Sequence, residues 1–287
     1  MCIRDSYWGG TSTPVDRIEF QTRLTPGESA ARFRAGQLDI VYELMNDDLD
    51  RILRDQRLGA QINEAPRKNV ALVVFKTTSG LFKDPVVRRA VAGVVRTQDL
   101  VWQSLGRFAM PATGLIPPGM LGHDPGRRRT PMYAEQALSQ MTSHGFTAPA
   151  RVAAAVPPGL MDRYADLLRG LFNSWRDLGV QVEHVTGKAD DYLRSLRTAE
   201  GVDLLVIRWN ADYDDPDNFT YGLFHSRVGL LRNFFSSPET DAIAEEARTE
   251  RTASIRETLY RKFEHMLLES AVVVPLFHEV NYRLRCV

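Results

Sequence analysis

Residues 202–219 read Val202-Asp203-Leu204-Leu205-Val206-Ile207-Arg208-Trp209-Asn210-Ala211-Asp212-Tyr213-Asp214-Asp215-Pro216-Asp217-Asn218-Phe219. The first eight residues are mostly apolar and predict a buried strand that ends at Trp209. The remainder is an acidic segment with a proline, which is typical of a loop. Binding groups in open α/β sheets cluster just past the carboxyl ends of the strands. Asp212, three residues after the strand, therefore occupies a position where a binding group is expected.

Strand and helix patterns alternate along the rest of the chain. Apolar alternation or short apolar runs predict further strands at 17–23, 38–42, 60–64, 70–76, 151–156, 180–185 and 272–277. Helical periodicity and capping signals predict helices at 25–36, 47–57, 84–95, 133–144, 160–178, 188–198, 238–248 and 254–269. The sequence has no internal repeat and no low-complexity stretch. This alternation predicts an α/β fold.

Composition indicates an ordinary soluble globular protein. The chain has 287 residues, enough for two domains, and is 44% hydrophobic and 25% charged. Lys plus Arg and Asp plus Glu are 36 each, so the formal net charge is zero. A nucleic-acid or anionic-membrane partner requires a net basic face, which this balance argues against. No apolar run approaches the length of a membrane span. The two cysteines, at opposite ends of the chain, form neither a disulfide framework nor a metal-binding motif.

Motifs that carry catalysis are absent from the sequence. It contains no Walker A motif, no GxGxxG after a strand, no HExxH and no GxSxG. The six histidines are scattered without metal-ligand spacing, and we interpret His265 and His278 as structural. An EF-hand in the acidic loop is excluded, since Pro216 and Asp217 occupy the stretch where the turn glycine is needed. The sequence predicts a binding protein and not an enzyme, with no metal and no cofactor.

Two smaller features are interpreted without a functional role. The basic run Gly126-Arg127-Arg128-Arg129 is interpreted as a solvated surface loop and not as a nucleic-acid patch. Residues 1–6 resemble translated sequencing adapter and are left out of the fold argument. We expect the chain to be a fragment, and its lack of an export signal then gives no information about the compartment.

Four stretches, in this order, resemble the family-5 extracellular solute-binding proteins, the dipeptide and oligopeptide carriers of ABC importers. The first is Tyr7-Trp8-Gly9-Gly10 with Asp16-Arg17-Ile18 and Ala35-Gly36-Gln37-Leu38-Asp39-Ile40. The second is Phe82-Lys83-Asp84-Pro85-Val86-Val87-Arg88-Arg89-Ala90, which continues into Gly114-Leu115-Ile116-Pro117-Pro118-Gly119. The third is Trp209 to Phe219. The fourth runs from Ser237-Pro238-Glu239-Thr240-Asp241 through Glu246-Ala247-Arg248 and Arg256-Glu257-Thr258-Leu259-Tyr260 to Pro275-Leu276-Phe277.

The resemblance implies a type II periplasmic-binding-protein-like α/β fold with two lobes. Residues 7–78 would be part of the first lobe, which is incomplete here. Residues 79–270 would form an essentially complete second lobe, and 271–287 would begin the return to the first. Thr97 stands where the family commonly has Asp, and Ala271 to Pro275 lacks the family's acidic-Ala-Pro lead-in. These departures concern the subfamily more than the fold.

The resemblance also implies a role for Asp212. In the peptide carriers the matching Asp resembles an anchor for the free α-amino group of the ligand, through a charge-assisted hydrogen bond. Trp209 and Tyr213 could then supply apolar cover, and Asn218 could offer amide hydrogen bonds. The alternative is that this acidic segment only caps turns and helix starts, as Asp often does. For Asp214, Asp215 and Asp217 we favour that turn or solvent-facing interpretation.

The function implied is that of the substrate-binding component of an ABC importer. It would capture a small solute, a peptide, in a cleft between the lobes and close by hinge motion. Its partners would be the peptide ligand and the transporter permease subunits, with no nucleic acid, and it would act as a monomer. It would be periplasmic or a cell-surface lipoprotein. The alternative is a cytoplasmic solute-sensing domain fused to a transcriptional activator or kinase, and the upstream gene sequence would separate the two.

Overall fold

The computed structural model describes residues 15, 17–42, 44–58, 61–185 and 187–285. The adapter-like residues 1–6, the segment 7–10 and both cysteines lie outside these ranges. The chain divides into two compact units, one of Met1–Ile62 with Arg283–Val287 and one of Asn63–Tyr282. The predicted lobe boundaries at residues 78 and 270 stay a prediction.

Helices and strands alternate, as the sequence patterns predict. The helices are α1 Pro26–Arg34, α2 Asn46–Arg54, α3 Pro85–Gly93, α4 Thr97–Leu105, α5 Ala134–Ser143, α6 Pro158–Arg163, α7 Ala165–Arg176, α8 Ala189–Thr198, α9 Tyr221–Phe224, α10 Pro238–Thr249 and α11 Ala253–Glu269. The strands are β1 Ile40–Val41, β2 Gln61–Pro66, β3 Asn69–Phe75, β4 Ala109–Pro111, β5 Ala150–Ala155, β6 Val180–His184, β7 Leu204–Asn210 and β8 Val273–Arg285.

In the first unit, α1 begins where its capping residues predict. The Thr25 side chain accepts from the Glu28 N–H, and the Glu28 carboxylate accepts from the Thr25 N–H at 2.8 Å, which together form a capping box. Phe33 on this helix is fully buried. The helix therefore has both a defined start and an apolar face to pack.

The strand predicted at 17–23 is wrong, because residues 17–23 have no regular secondary structure. Its apolar side chains Ile18 and Phe20 are 71% and 82% exposed. Similarly, only the two-residue β1 forms where a buried strand was predicted at 38–42, and Ile40 and Tyr42 are exposed. A strand needs a partner for its backbone groups, and alternation in one short segment cannot supply that partner.

The second unit is organised around one mixed sheet with strand order β8-β3-β7-β5-β6. β3 pairs antiparallel with β7 from Asn69–Asn210 to Phe75–Leu204, and antiparallel with β8 on its other side. β5 is parallel to both β6 and β7. Every residue of β3 is buried, which is typical of a strand covered on both faces.

Two apolar cores cover the two faces of this sheet. One contains side chains of α3, α5 and α7, including the buried Val91, Leu171 and Trp175. The other contains side chains of α10 and α11, including Ile243 and Phe263. Along β7 the residues alternate between the two cores, so Val206 faces the first and Ile207 the second. Arg208 and Trp209 continue this alternation at the end of the strand.

Four further elements differ from the sequence prediction. The helix predicted at 160–178 is two helices, α6 and α7, because Tyr164 between them leaves helical geometry at φ −124° and ψ 32°. α4, β4 and α9 fall in regions where no element was predicted. Elements this short carry few periodic positions, and their sequence signal is correspondingly weak.

The interpretation of the basic run at 126–129 as a solvated surface is wrong for two of its arginines, whereas Gly126 and Arg128 are exposed. Arg127 lies 2.9 Å from the carboxylate of Glu264, which is almost fully buried on α11. Arg129 donates to the backbone carbonyl of Ala92 and, at 3.2 Å, to the hydroxyl of Thr97. Both guanidinium groups stabilise the interior of the unit.

Candidate functional site

The acidic loop begins where β7 ends. The last residue of β7, Asn210, pairs there with the first residue of β3, Asn69. The Ala211 N–H donates to the Lys68 carbonyl at 2.8 Å, which extends the strand pairing by one bond. Pro216–Asn218 then form a short 3₁₀ helix, and the Asp215 carboxylate accepts from the Asp217 N–H at 2.9 Å to cap it. The loop is therefore fixed by a backbone hydrogen bond at its start and by a side-chain cap at its 3₁₀ helix.

One amide oxygen brings three of the four predicted site residues together. Asn218 Oδ1 accepts from the Trp209 indole N–H at 2.7 Å and from the Asp212 backbone N–H at 3.4 Å. Asn218 is buried, so its amide oxygen serves the loop itself. Tyr213, the fourth residue, is half exposed, and its hydroxyl donates to the Asp217 carboxylate at 2.9 Å.

Three of the four aspartates in this loop have cationic partners. Asp214 lies 2.7 Å from Lys68 Nζ, which also donates to the Gly119 carbonyl at 2.8 Å. Arg256 donates to both oxygens of Asp215, at 3.0 and 2.9 Å. Asp217 forms an ion pair with Arg248 at 3.1 Å. Asp214 is exposed and Asp215 caps a turn, as the turn or solvent-facing interpretation predicts, whereas Asp217 is buried and that interpretation is wrong for it.

Asp212 differs from its neighbours. Its side chain is exposed, and no described residue forms an ion pair or a hydrogen bond with its carboxylate. Its only described hydrogen bond is that of its backbone N–H to Asn218. A carboxylate on a fixed loop, with its oxygens free of protein partners, can accept hydrogen bonds from a cationic group of a ligand.

A second charged cluster at the same end of the sheet was missed by the sequence argument. Glu279 on β8 is 6% exposed, and its carboxylate accepts from Arg67 and Arg208 at 3.1 Å each. It also accepts from the Asn69 amide at 2.7 Å and from the Tyr164 hydroxyl at 2.5 Å. We call these five residues the Glu279 cluster.

Electrostatics keep Glu279 ionised. Burial alone would raise the pKa of Glu279, but the Tyr164 hydrogen bond and the charges of Arg208 and Arg67 outweigh it and hold the pKa below its ordinary value.

The sequence signal that could have revealed the cluster is a charged residue in an apolar strand. Glu279 follows the run from Val272 to Phe277, and Arg208 ends a similar run.

His278 has a structural place next to this cluster, as the sequence predicts. It is buried, and its Nδ1 lies 2.7 Å from the Asn69 carbonyl, which can only accept. Burial lowers the pKa of His278 to about 4, so the ring is neutral near neutral pH. Within the described ranges, no three His, Cys, Asp or Glu side chains come together in a group that could hold a metal ion.

None of the described helices is both long enough and apolar enough to cross a membrane.

Solved structures with similar folds support the predicted fold class. HbpA2 from Haemophilus parasuis superposes with a TM-score of 0.80 at 19% sequence identity, over 91% of this chain and 52% of that one. The class of protein that this fold defines is the type II periplasmic-binding-protein-like class, and the predicted α/β fold of this class is confirmed.

The family follows from the sequence comparison. The family described as bacterial extracellular solute-binding proteins, family 5 Middle, matches residues 4–229. The chain belongs to this family of bacterial extracellular solute-binding proteins, as the four quoted stretches predict.

Two of the curated relatives carry names that concern peptides. The periplasmic murein peptide-binding protein MppA of Escherichia coli is 22% identical over 284 residues, which are 97% of this chain and 52% of the relative. Di/tripeptide-binding protein 1 of Pseudomonas aeruginosa is 23% identical over 286 residues, 96% of this chain and 52% of the relative. The chain spans about half the length of the curated relatives it matches.

Proposed function

We propose that the full-length protein containing this chain is the substrate-binding component of an ABC importer and that it binds a short peptide. Membership of the solute-binding family supports the binding role. The names of the two curated relatives support the choice of a peptide as ligand.

The observation that carries this proposal is the free carboxylate of Asp212. Lys68, Arg256 and Arg248 neutralise the other three aspartates of the loop, whereas the Asp212 carboxylate has no partner among the described residues. A peptide brings an α-ammonium group, which forms charge-assisted hydrogen bonds with a carboxylate. In the proposed site Asp212 therefore binds the amino terminus of the ligand.

The other predicted site residues take different parts in this proposal. Trp209 and the half-exposed Tyr213 provide apolar cover on either side of Asp212. Asn218 fixes the loop, because its amide oxygen accepts from both Trp209 and Asp212. Backbone hydrogen bonds would hold the peptide main chain, so one site can accept many side chains.

The wider setting of the protein follows from the same proposal. The lobes of the full-length protein close over the ligand by hinge motion, with segments 7–78 and 271–287 in the first lobe and 79–270 in the second. The liganded protein delivers the peptide to the permease subunits as a monomer, from the periplasm or from the cell surface as a lipoprotein. Neither a catalytic step nor a cofactor is part of this function.

Replacing Asp212 tests the proposal. In the full-length protein, Asp212→Ala would leave the ligand ammonium buried without a counter-charge, which costs about 3–5 kcal/mol. The expected loss of affinity is roughly a hundred- to several-thousand-fold. Isothermal titration calorimetry of both variants against a panel of dipeptides and tripeptides measures it.

Asp214→Ala is the matched control. This exposed aspartate of the same loop has its own partner in Lys68, so its loss should change peptide affinity by less than about threefold. Equal affinities of wild type and Asp212→Ala would remove Asp212 from the site. A panel without any bound peptide would contradict the peptide function itself.

A further inference from the structure

The chain passes between its two compact units inside two strands. The unit boundaries fall after Ile62 and after Tyr282. The first boundary lies within β2 and the second within β8, and these two strands pair with each other. We call β2 and the end of β8, residues 279–285, the crossing strands. Any movement between the units must be absorbed by the backbone of these strands.

One short segment contacts both crossing strands on the side of the second unit. Arg107 donates to the Glu64 carboxylate of β2 at 2.5 Å. The next residue, Phe108, packs on the buried Tyr282 of β8, with ring centroids 5.5 Å apart. Glu64 is the second residue after the first boundary, and Tyr282 is the last residue before the second. Both contacts therefore lie directly next to the unit boundaries.

Arg107 and Phe108 are themselves supported by rigid backbone. α4 precedes them, and its side chains Val101 and Leu105 are buried in an apolar core of the second unit. β4 follows them directly and pairs antiparallel with β8. Because both neighbouring elements are packed into the second unit, the side chains that Arg107 and Phe108 contact are held to that unit as well.

We propose that Arg107 and Phe108 form a clamp that confines the bending of the crossing strands to a few residues at the unit boundaries, an inference that rests on the closing motion of the proposed function. A hinge absorbs its change in backbone angles over a few residues. The bend then lies at the unit boundaries, and not at residues 78 and 270, where the resemblance predicts the lobes to meet.

Loss of the clamp would lengthen the flexible part of the hinge. β2 would then bend as far as Arg67, whose backbone N–H donates to the Glu279 carbonyl at 2.8 Å. A longer flexible stretch allows the unliganded protein more open arrangements. A smaller fraction of molecules is then ready to close on a ligand, which lowers the apparent affinity.

A purely structural role for the two contacts makes a different prediction. An ion pair and an aromatic contact that only stabilise the second unit would, when removed, lower its stability without changing the range of distances between the units. A clamp requires that this range become wider. Two spin labels, one in each unit, separate the two roles by the width of their distance distribution.

The experiment uses the unliganded full-length protein with its native cysteines replaced by serine. Nitroxide labels are attached at Arg34→Cys in the first unit and Asp190→Cys in the second, both exposed positions. Pulsed electron paramagnetic resonance measures the distance distribution. Arg107→Gln combined with Phe108→Leu should widen it at least about 1.5-fold, because more backbone takes part in the bend. Arg107→Gln alone removes only a surface contact, should widen the distribution less, and serves if the double variant does not fold.

Arg151→Gln is the matched control, because its exposed ion pair with Glu183 joins β5 and β6, at the opposite end of the sheet from β8. It should keep the wild-type width. A wild-type width in the double variant, or in Arg107→Gln if only that variant folds, would overturn the clamp whatever the loss of stability. Trialanine should narrow the wild-type distribution. If no peptide of the panel changes it, the proposed closing motion fails, whereas the clamp is decided by the unliganded widths alone.

Discussion

Glu279 interrupts an apolar strand, and its partners come from distant places in the chain. Arg67 is 212 positions away and Tyr164 is 115 positions away. Asp212, by contrast, could be predicted because its position depends on one local pattern, a buried strand followed by an acidic loop. The Glu279 cluster could not, since nothing local to Glu279 indicates which residues neutralise it.

Removal of the Glu279 charge should destabilise the protein. Glu279→Gln would leave two arginines without their shared carboxylate, and we expect a loss of about 2–3 kcal/mol in the free energy of unfolding at pH 7. Urea denaturation measures this loss. Glu183→Gln, which breaks only an exposed ion pair with Arg151, should cost less than about 1 kcal/mol.

The same variant should show a characteristic pH dependence. Because folding lowers the pKa of Glu279 below its ordinary value of 4.5, its contribution is fully present above that value and is lost as the pH falls through the lower folded pKa. The stability difference between wild type and Glu279→Gln should therefore shrink at acid pH. A difference that stays constant between pH 7 and the acid range would contradict this account.

At the scale of elements, a buried contact explains why the stretch Gly114 to Gly119, which resembles the family, begins with a glycine. The Glu264 carboxylate on α11 accepts from the backbone N–H groups of Leu115 and Ile116 and pairs with Arg127. Burial raises the pKa of Glu264, although these donors oppose the shift. A Cβ atom at Gly114 would collide with this carboxylate. Residue 114 is therefore a glycine because the buried carboxylate leaves no room for a side chain there.

We therefore expect Gly114→Ala to lower the free energy of unfolding by about 1–3 kcal/mol, the usual cost of overpacking a filled interior. Thermal or urea denaturation measures the loss. Gly159→Ala on α6 is the control, because a Cβ atom there meets nothing within 4 Å. Equal stabilities of Gly114→Ala and wild type would show that the loop can move away from Glu264.

Elements with long periodic patterns were predicted well, and short ones were not. α10 and α11 lie where capping residues and apolar periodicity predict them, and β3 and β7 where apolar runs do. The break at Tyr164 escaped prediction because the apolar pattern continues across it. At the break, Tyr164 makes a tertiary contact that the sequence does not reveal, since its hydroxyl donates to Glu279 on β8.

At the scale of the whole molecule, the first compact unit exposes apolar side chains that the sequence placed in a strand. Phe20 is 82% exposed, whereas Phe33 in the same unit is fully buried. The alternation at 17–23 is genuine, but a strand forms only with a pairing partner. Fold prediction failed there because pairing is a property of the assembled protein.

This contrast predicts two different outcomes for aromatic substitutions in the chain. Phe20→Ser should change the free energy of unfolding by no more than about 0.5 kcal/mol, because the side chain is largely in solvent. Phe33→Ala should cost about 3–5 kcal/mol through loss of buried contacts and the cavity left behind. Urea denaturation of both variants measures the difference, and a large loss in Phe20→Ser would show that Phe20 packs in the folded chain.

Lys68 makes two separate loops mechanically dependent on each other. Its ammonium group holds the Gly119 carbonyl and the Asp214 carboxylate, and its own carbonyl accepts from Ala211. If the segment around Gly119 is displaced, Lys68 must either lose a contact to Gly119 or Asp214, or the acidic loop must move with the segment. Lys68 thus connects the two loops, and while its contacts hold, the position of the segment around Gly119 depends on that of the loop that carries Asp212.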